Sequence, residues 1–522
     1  MLSLLLVFSI TIIALYTWLF YENVKRYPKG PRPLPFIGNL PSMDFHKIHE
    51  QFVDLSKQYG NVFTVWLPRP YVVIMDFENL KEAFAKKGDD FSGRSGLFPD
   101  TIFQNVENGG VISSQGDNWK EQRRASLHIL RDFGMGKNLM EEQVLLSAQG
   151  FLEHLSKIKN KEEMNLRLPI QVFVANIINR TLFGFCYEYD NCNRLMEGIE
   201  AMNSTAIRIR SSKLTFAAQM FPIINILPIL GYFAKGRFDK SVAVICEHLK
   251  EDIDRALKSY SIDQEPDCFV QAYYQKMQSN PQLNFDNLIN VCMDFFFAGM
   301  ETTSTTLRWG TLFLAKHEDV QDKMRAEILS VLGTDKKPTM SIRNKLPYTC
   351  AAIQEIQRCA NIIAFNVPHR TVRDTSIGAF NIPADTLVIG QIHNILANSH
   401  VFKDSEQFRP ERFLMEDGVT PNKETVDHFC PFSVGKRQCA GESLARVELF
   451  IGIVTLLQNY KVSAVILVAF CRVLTMETIV YVYEAKIQPV KGREVDMDVI
   501  FTITLLPKEQ PLRLSPARPE IL

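Results

Sequence analysis

The chain has 522 residues, 46% apolar and 22% charged, a balance that excludes general disorder and permits a large buried core. Its 58 basic side chains are matched by 58 acidic ones, so net charge gives no reason to expect nucleic acid or another polyanion as partner. The ten cysteines are scattered without a C-x-x-C pair, which argues against a disulfide framework or a structural zinc site and for reduced, mostly buried thiols.

In chain order, residues 1–21 (MLSLLLVFSITIIALYTWLFY) are almost wholly apolar, and about 20 such residues suffice to cross a bilayer as a helix. A cleaved signal peptide is the competing reading, but the apolar stretch is long for one and no small-residue cleavage site follows. Lys25 and Arg26 come directly after it, which favours a cytosolic position for everything downstream. On a cytosolic domain the two N-x-T sequons, at Asn179 and Asn203, are expected to carry no glycan. Residues 22–40 form a Pro-rich linker in which Pro28, Pro31, Pro33 and Pro35 stiffen the backbone into an extended spacer. No comparable linker follows, so residues 41–522 read as one large domain.

Two β-rich runs, Val62 to Leu67 and Tyr71 to Met75, flank Pro68 and Pro70 and predict a hairpin. From Asn79 to Lys316 the pattern is mostly helical. Its clearest member runs from Asp286, as N-cap, to Lys316 without a proline and would be on the order of 45 Å long. The apolar run Phe221 to Leu230, twice broken by proline, has two readings: ordinary core, or a loop touching a membrane surface beside the anchor. Strand patterns return at Thr386 to Ile389 and at Val499 to Leu506. The predicted fold class is mainly α with small β-sheets, a long central helix and a preceding transmembrane helix.

The most specific feature is Phe432 to Gly441, FSVGKRQCAG, in which five residues stand at fixed spacing. Chance occurrence is on the order of one in a few million per position. Read alone, Cys439 is either a buried structural thiol or a metal ligand; a zinc set of His428, Cys430 and Cys439 lacks a fourth ligand at usable spacing. The segment resembles the haem-binding loop of the cytochrome P-450 family, F-x-x-G-x-R-x-C-x-G. The resemblance implies haem b, with Cys439 as the thiolate ligand to iron, donating electron density that favours O–O cleavage. It implies further that Phe432, Gly435 and Gly441 belong to the haem-binding loop, the two glycines letting backbone approach the porphyrin and turn tightly. The helix read over Glu442 to Leu457 would present its N-terminus to the sulfur, and Arg437 would pair with a haem propionate.

Other segments extend the resemblance in the expected order. Ala298-Gly299-Met300-Glu301-Thr302-Thr303 matches the family's A-G-x-E-T motif inside the long helix. Read alone, threonines in a helix are usually solvated or bonded back to a carbonyl four residues earlier. By resemblance, Gly299 opens a groove above the iron where dioxygen fits, Ala298 borders the pocket, and Glu301 and Thr302 relay protons. Glu355-x-x-Arg358, followed by Arg412, looks like the family's structural triad, although E-x-x-R also occurs at Glu121/Arg124 and Glu406/Arg409. Arg94, Trp119, Arg123 and His369, with Arg437, would hold the propionates; the run Phe133 to Lys137 matches as well. The pocket walls would come from Ile362 to Val367 and from the loop near Ser95 to Val111. They should be largely apolar, with Phe295, Phe296 and Phe297 read first as core packing.

The resemblance implies a monooxygenase of the endoplasmic reticulum membrane acting on an apolar small molecule: a xenobiotic, a fatty acid or a steroid-like compound. Electrons would come from an NADPH-dependent flavin reductase, with cytochrome b5 as a second donor. Lys120, Arg123, Arg124 and Lys436 are candidates for a basic docking patch, a solvated charged face being the bland reading. Ser463 to Lys486 breaks the pattern: about two dozen β-prone, apolar residues stand where relatives pass almost directly from Val462 to a segment like Gln488-Pro489-Val490. They read as a lineage-specific insertion, a second membrane-contacting segment, or translated intron sequence. Two rivals follow: a relative that rearranges peroxides without a reductase, against which Glu301 and Thr302 speak, and a non-catalytic form disabled by the insertion.

Overall fold

Helix Phe285–Lys316 is the axis of the fold. Asn284 caps it: its backbone is extended, and its side chain accepts the Asn287 N–H at 2.8 Å. The expected cap, Asp286, instead lies in the first turn, where its charge suits the positive end of the helix. Helix Arg167–Phe183 packs along the axis, and helices Pro347–Ala360 and Glu442–Asn459 also pack against it. A Cβ on Gly299 would stand 2.6 Å from Ile178 Cδ1, so the missing side chain permits this close helix approach. The computed structural model describes residues 2–45, 47–134, 138–464, 495–501 and 504–516.

The expected hairpin forms, with Val62–Leu67 antiparallel to Arg69–Ile74 in the register Val62↔Ile74. Pro70 is accommodated inside the second strand, opposite Trp66. Strand Leu387–Gly390 joins in parallel, and the two-residue strand His369–Arg370 pairs with it at the sheet edge, His369 opposite Val388. Helix Ile48–Tyr59 seals a small cluster of Phe52, Phe63, Val65, Val73 and Met75, while most other buried apolar residues form one continuous core. The helical expectation for Asn79 to Lys316 fails between residues 88 and 115, which are irregular, with Gly96 and Gly110 at positive φ.

Helix Leu2–Val24 spans about 35 Å at 1.5 Å per residue, and its apolar side chains are exposed, Leu4 by 74% and Phe8 by 64%. Its C-terminal end is not free: Phe20 and Tyr27 meet the Trp66 ring edge-on, and Tyr16 stacks on Phe36. The linker is likewise tied down, with Asn39 Nδ2 donating to the Pro31 and Arg32 carbonyls and the Trp66 N–H donating to Asn39 Oδ1. The core reading of Phe221 to Leu230 is wrong, because Ile223, Ile226 and Ile229 are each at least 66% exposed. Asn179 is fully buried, which closes that sequon to glycosylation.

At the C-terminal end the single strand read over Val499 to Leu506 is a hairpin, Val499–Phe501 against Leu505–Pro507. Contacts that no local pattern encodes hold it: Trp309 Nε1 donates to the Leu505 carbonyl at 2.7 Å and the Leu505 N–H to that of Ile362. Strand Tyr460–Ala464 pairs with Leu512–Pro516, so Ser463 and Ala464 are ordinary sheet residues; 465–486, the rest of the anomalous segment, lie outside the described residues.

Of the three E-x-x-R pairs, the structure buries one. Glu355 receives Arg358 Nε at 2.7 Å and Nη2 at 2.9 Å, Arg412 Nε at 3.0 Å and the Arg409 N–H at 2.9 Å. The two guanidinium groups spend their other donors on the carbonyls of Leu396, Lys403, Asp404, Ser405 and Gln407, drawing the chain before the cysteine loop onto helix Pro347–Ala360. Removing one partner of a buried ion pair leaves the others uncompensated. Glu355→Gln should therefore destabilise the domain by about 3–5 kcal/mol, seen as an earlier denaturant midpoint with an unchanged slope.

Candidate active site

The elements above enclose a cavity of about 1280 Å³, at or above the upper end of ordinary ligand pockets. Cys439 opens onto it. The residue counts as exposed only because the cavity reaches it; protein surrounds the sulfur otherwise. The loop is shaped by short backbone bonds, from the Cys439 N–H to the Phe432 carbonyl at 3.1 Å and from the Gln438 N–H to that of Gly435. Burial pushes the Cys439 thiol up, whereas the N–H groups of Gly441 and Glu442, at the start of helix Glu442–Asn459, and Arg123 favour the thiolate. Burial outweighs them, and the net direction is upward.

Two glycines of the loop differ in purpose. A Cβ on Gly435, at φ +83, would lie 1.7 Å from the Phe84 carbonyl oxygen, so this glycine answers to a neighbouring protein backbone and does not line the cavity. Gly441 does line it, and a Cβ there would meet no protein atom within 4 Å. Phe432 is a lining residue too, with the Arg446 guanidinium over its ring.

One side of the cavity is strongly cationic. Arg94, Arg123 and Arg437 all line it, with His369 beside them. Burial, then Arg94 and Arg123, pushes the Arg437 guanidinium down to about 7; burial pushes Arg94 down to about 10, with Arg123 adding to the fall. A guanidinium does not surrender its proton in a protein, so such pressure marks a place for an anion. Arg437 also lies 3.7 Å over the Trp119 ring, whose buried Nε1 has no partner among the described residues. His369 stacks on Phe84 at 3.8 Å and gives Nδ1–H to the Phe91 carbonyl at 2.7 Å, a role assigned from the carbonyl's need for a donor. Nε2 can donate only from the imidazolium, which burial opposes and an adjoining carboxylate would favour. A thiol, a cationic wall backed by Trp119, which itself does not line the cavity, and a glycine over open space fit a flat macrocycle bearing carboxylates, as haem does.

On the central helix, Thr302 donates to the Ala298 carbonyl at 2.7 Å, the back-bond expected of a helical threonine, yet the helix runs unbroken. Glu301 is turned elsewhere: Thr305 Oγ1 lies 3.4 Å from its Oε1, and Oε2 has no partner among the described residues. Burial raises the Glu301 carboxyl, while Arg308 and Arg167 pull it back. No hydrogen bond joins Glu301 to Thr302 in this arrangement. Phe296 packs in the core as expected, but Phe295 and Phe297 reach the cavity, together with Phe103, Ile362, Ile363 and Val367.

The expected basic patch is largely neutralised. Lys120 pairs with Asp117 at 3.0 Å, Arg124 with Glu121 at 2.7 Å, and Lys436 with Asp89; Arg123 turns inward to the Gln438 carbonyl. Within the match Phe133 to Lys137, Met135, Gly136 and Lys137 lie outside the described residues.

Motif reading missed Glu448. It lines the cavity from helix Glu442–Asn459, 1% exposed, with Oε1 unpartnered among the described residues. Burial pushes its carboxyl up to about 8 against a hydrogen bond with Thr303. Its spacing from Cys439 hints at nothing, because the signal is a partner far away in the chain.

This geometry fits a haem-thiolate type of site on a helical scaffold. The Cytochrome P450 family profile matches residues 28–482. Cytochrome P450 2H1 of Gallus gallus is 35% identical over 472 residues, covering 89% of this chain and 93% of its own. Cytochrome P450 2C20 of Macaca fascicularis is 36% identical over 469 residues, 88% and 93% respectively. Cytochrome P450 2B19 of Mus musculus is 36% identical over 447 residues, 84% and 88%. The chain belongs to the cytochrome P450 family and is an oxidoreductase of its monooxygenase class.

A raised carboxyl pKa means that the folded chain holds a proton the unfolded chain has released. Glu448 therefore costs nothing below the ordinary glutamate value of 4.5, and its cost accumulates as pH rises toward about 8. Glu448→Gln removes that dependence, so its melting temperature should fall less than the native one's between those two values, as differential scanning calorimetry would show.

Proposed function

We propose that this protein is a haem-dependent monooxygenase inserting one atom of dioxygen into an apolar organic substrate. Its electrons come from an NADPH-dependent flavin reductase, with cytochrome b5 as a further donor, at the cytosolic face of the endoplasmic reticulum membrane. One observation carries the reading: a single cavity is lined by the Cys439 loop, by the Arg94, Arg123 and Arg437 cluster, and by Ala298, Gly299, Glu301 and Thr302 of the central helix. The exposed apolar helix Leu2–Val24 and the exposed isoleucines of residues 223–229 support membrane attachment.

Haem, when bound, supplies oxygen activation, which a thiolate ligand promotes by donating electron density. The chain's residues do the rest. Cys439 provides the sulfur; Arg94, Arg123, Arg437 and His369, with Trp119 behind them, hold the propionates. Glu301 keeps its proton to higher pH than a free glutamate, as a proton donor at neutral pH must. Thr302 can pass a proton into the cavity only when its hydroxyl leaves the Ala298 carbonyl, and Glu301 must swing from Thr305 to supply it. Phe103, Phe297, Ile362, Ile363 and Val367 exclude water and select an apolar substrate.

The test is a carbon monoxide difference spectrum of the reduced protein. The full chain should give the long-wavelength, thiolate-type band and Cys439→Ala should lose it. A shortened chain lacking residues 465–486, which keeps strand Tyr460–Ala464, separates a disabled sequence from a wrong ligand. A band in that form alone assigns the fault to the insertion, and no band in either removes Cys439 as ligand. With the band present, Glu301→Gln should retain it while product formation falls roughly 10²-fold, the usual worth of a positioned proton donor; unchanged turnover would dismiss Glu301 from proton delivery.

A further inference from the structure

Glu442 and Arg446 do not line the cavity, yet both touch residues of the cysteine loop that do. Arg446 gives Nε to Glu442 Oε1 at 2.8 Å, and its Nη2 lies 2.7 Å from the same oxygen. The other carboxylate oxygen, Oε2, accepts Gln438 Nε2 at 2.5 Å. Held this way, the guanidinium stands over the Phe432 ring, 5.1 Å from its centroid. Both loop residues adjoin the sulfur's own backbone. Gln438 precedes Cys439 in the chain, and the Phe432 carbonyl accepts the Cys439 N–H at 3.1 Å. On the opposite side Arg123 donates to the Gln438 carbonyl at 2.6 Å.

An acid in the first turn with an arginine four residues on is an ordinary helix pairing that adds little to stability. That accounts for the pair but not for its two further contacts, to the Gln438 amide and the Phe432 ring. Glu442 also reaches Cys439 electrostatically. After burial, its carboxylate is the group that pushes the thiol up, while Arg123 pulls it down. A negative charge so placed opposes charge on the sulfur, and opposes an added electron on any metal the sulfur binds. A cation in contact with that carboxylate cancels much of its field at the sulfur.

We propose that Arg446 screens Cys439 from the Glu442 carboxylate, and that this pair sets the reduction potential of the haem held by the cysteine loop. Gln438 and the Phe432 ring fix where the two charges stand. Glu442 and Arg446 are positioning residues, since they act through Cys439 and its loop. The contacts themselves stand on geometry; their effect on haem rests on the function proposed above.

Reductive titration of the haem-loaded full chain in lipid nanodiscs tests it, with the midpoint potential read from the absorption spectrum. Low ionic strength suits the measurement, because partly exposed charges are then least screened. Native protein is compared with Arg446→Gln, Glu442→Gln and the double variant. Arg446→Gln leaves the carboxylate bare, so the potential should fall. Glu442→Gln leaves the cation bare, so the potential should rise. The double variant removes both charges and should return close to native, as interacting sites do. Opposite signs are the mark of charge, because a loosened loop would move both single variants the same way. Arg446→Lys keeps the charge and should lie between native and Arg446→Gln; that series carries the test if Glu442→Gln yields no folded protein. Native potentials in both single variants would overturn the proposal, and so would shifts of one sign. Slower turnover at native potential would assign Arg446 to docking the flavin reductase and would overturn it too. Absence of the thiolate-type band from the native chain would remove the functional reading and this proposal with it. A native band with unmoved potentials would remove this proposal alone.

Discussion

Positive charge buried beside a thiol is the constraint around which the cavity is organised. Arg94, Arg123 and Arg437 lie close enough that each disfavours a neighbour's charge, and the acid that acts on Arg94 is Asp100, itself buried. Charges held out of water are tolerable only when paired and hydrogen-bonded. Here the hydrogen bonds go largely to backbone carbonyls: Ser92 and Ser114 for Arg437, Ile112, Val367 and Pro368 for Arg94, Gln438 for Arg123. These carbonyls belong to three separate stretches of chain. The arginines thereby tie the loop, the sheet edge and the cysteine segment to one another, and an anionic group among them would complete the arrangement.

Around that centre each packed element has a definite task. The small sheet carries His369 to the cavity edge by pairing it with Val388 and pressing its ring on Phe84. Phe84 acts twice, since its carbonyl oxygen is also the neighbour that demands glycine at 435. The Glu355 network anchors the chain between residues 396 and 412, ahead of helix Lys423–His428 and the cysteine loop. Rigid support far from the chemistry thus determines where the sulfur stands.

The surface divides by environment. The N-terminal helix and the exposed isoleucines of residues 223–229 are apolar without cover, while the cations near the cysteine loop mostly have acids beside them. Exposed pairs of that kind contribute little to stability and exchange partners readily. They leave the local charge nearly balanced, which the spacing of lysines and arginines alone misrepresents.

The sequence alone determined whatever chemistry demands within a few residues of itself: the cysteine loop, the apolar N-terminal helix, the proline-stiffened linker and the long central helix. In each, the signal is local: a motif contained in ten consecutive residues, a run of about 20 apolar residues long enough to cross a bilayer, four prolines in eight positions, or a long stretch without a proline. Only the tertiary structure decided matters that depend on partners far along the chain. It singled out Glu355-x-x-Arg358 among three like pairs by burying it with Arg412, and turned the last strand into a hairpin through Trp309. It gave Gly299 to Ile178 and Gly435 to Phe84, set Thr303 against Glu448, and closed Asp294 on Val111 and Ile112. Such roles are written in distances across the fold, and a pattern of neighbours along the chain does not contain them.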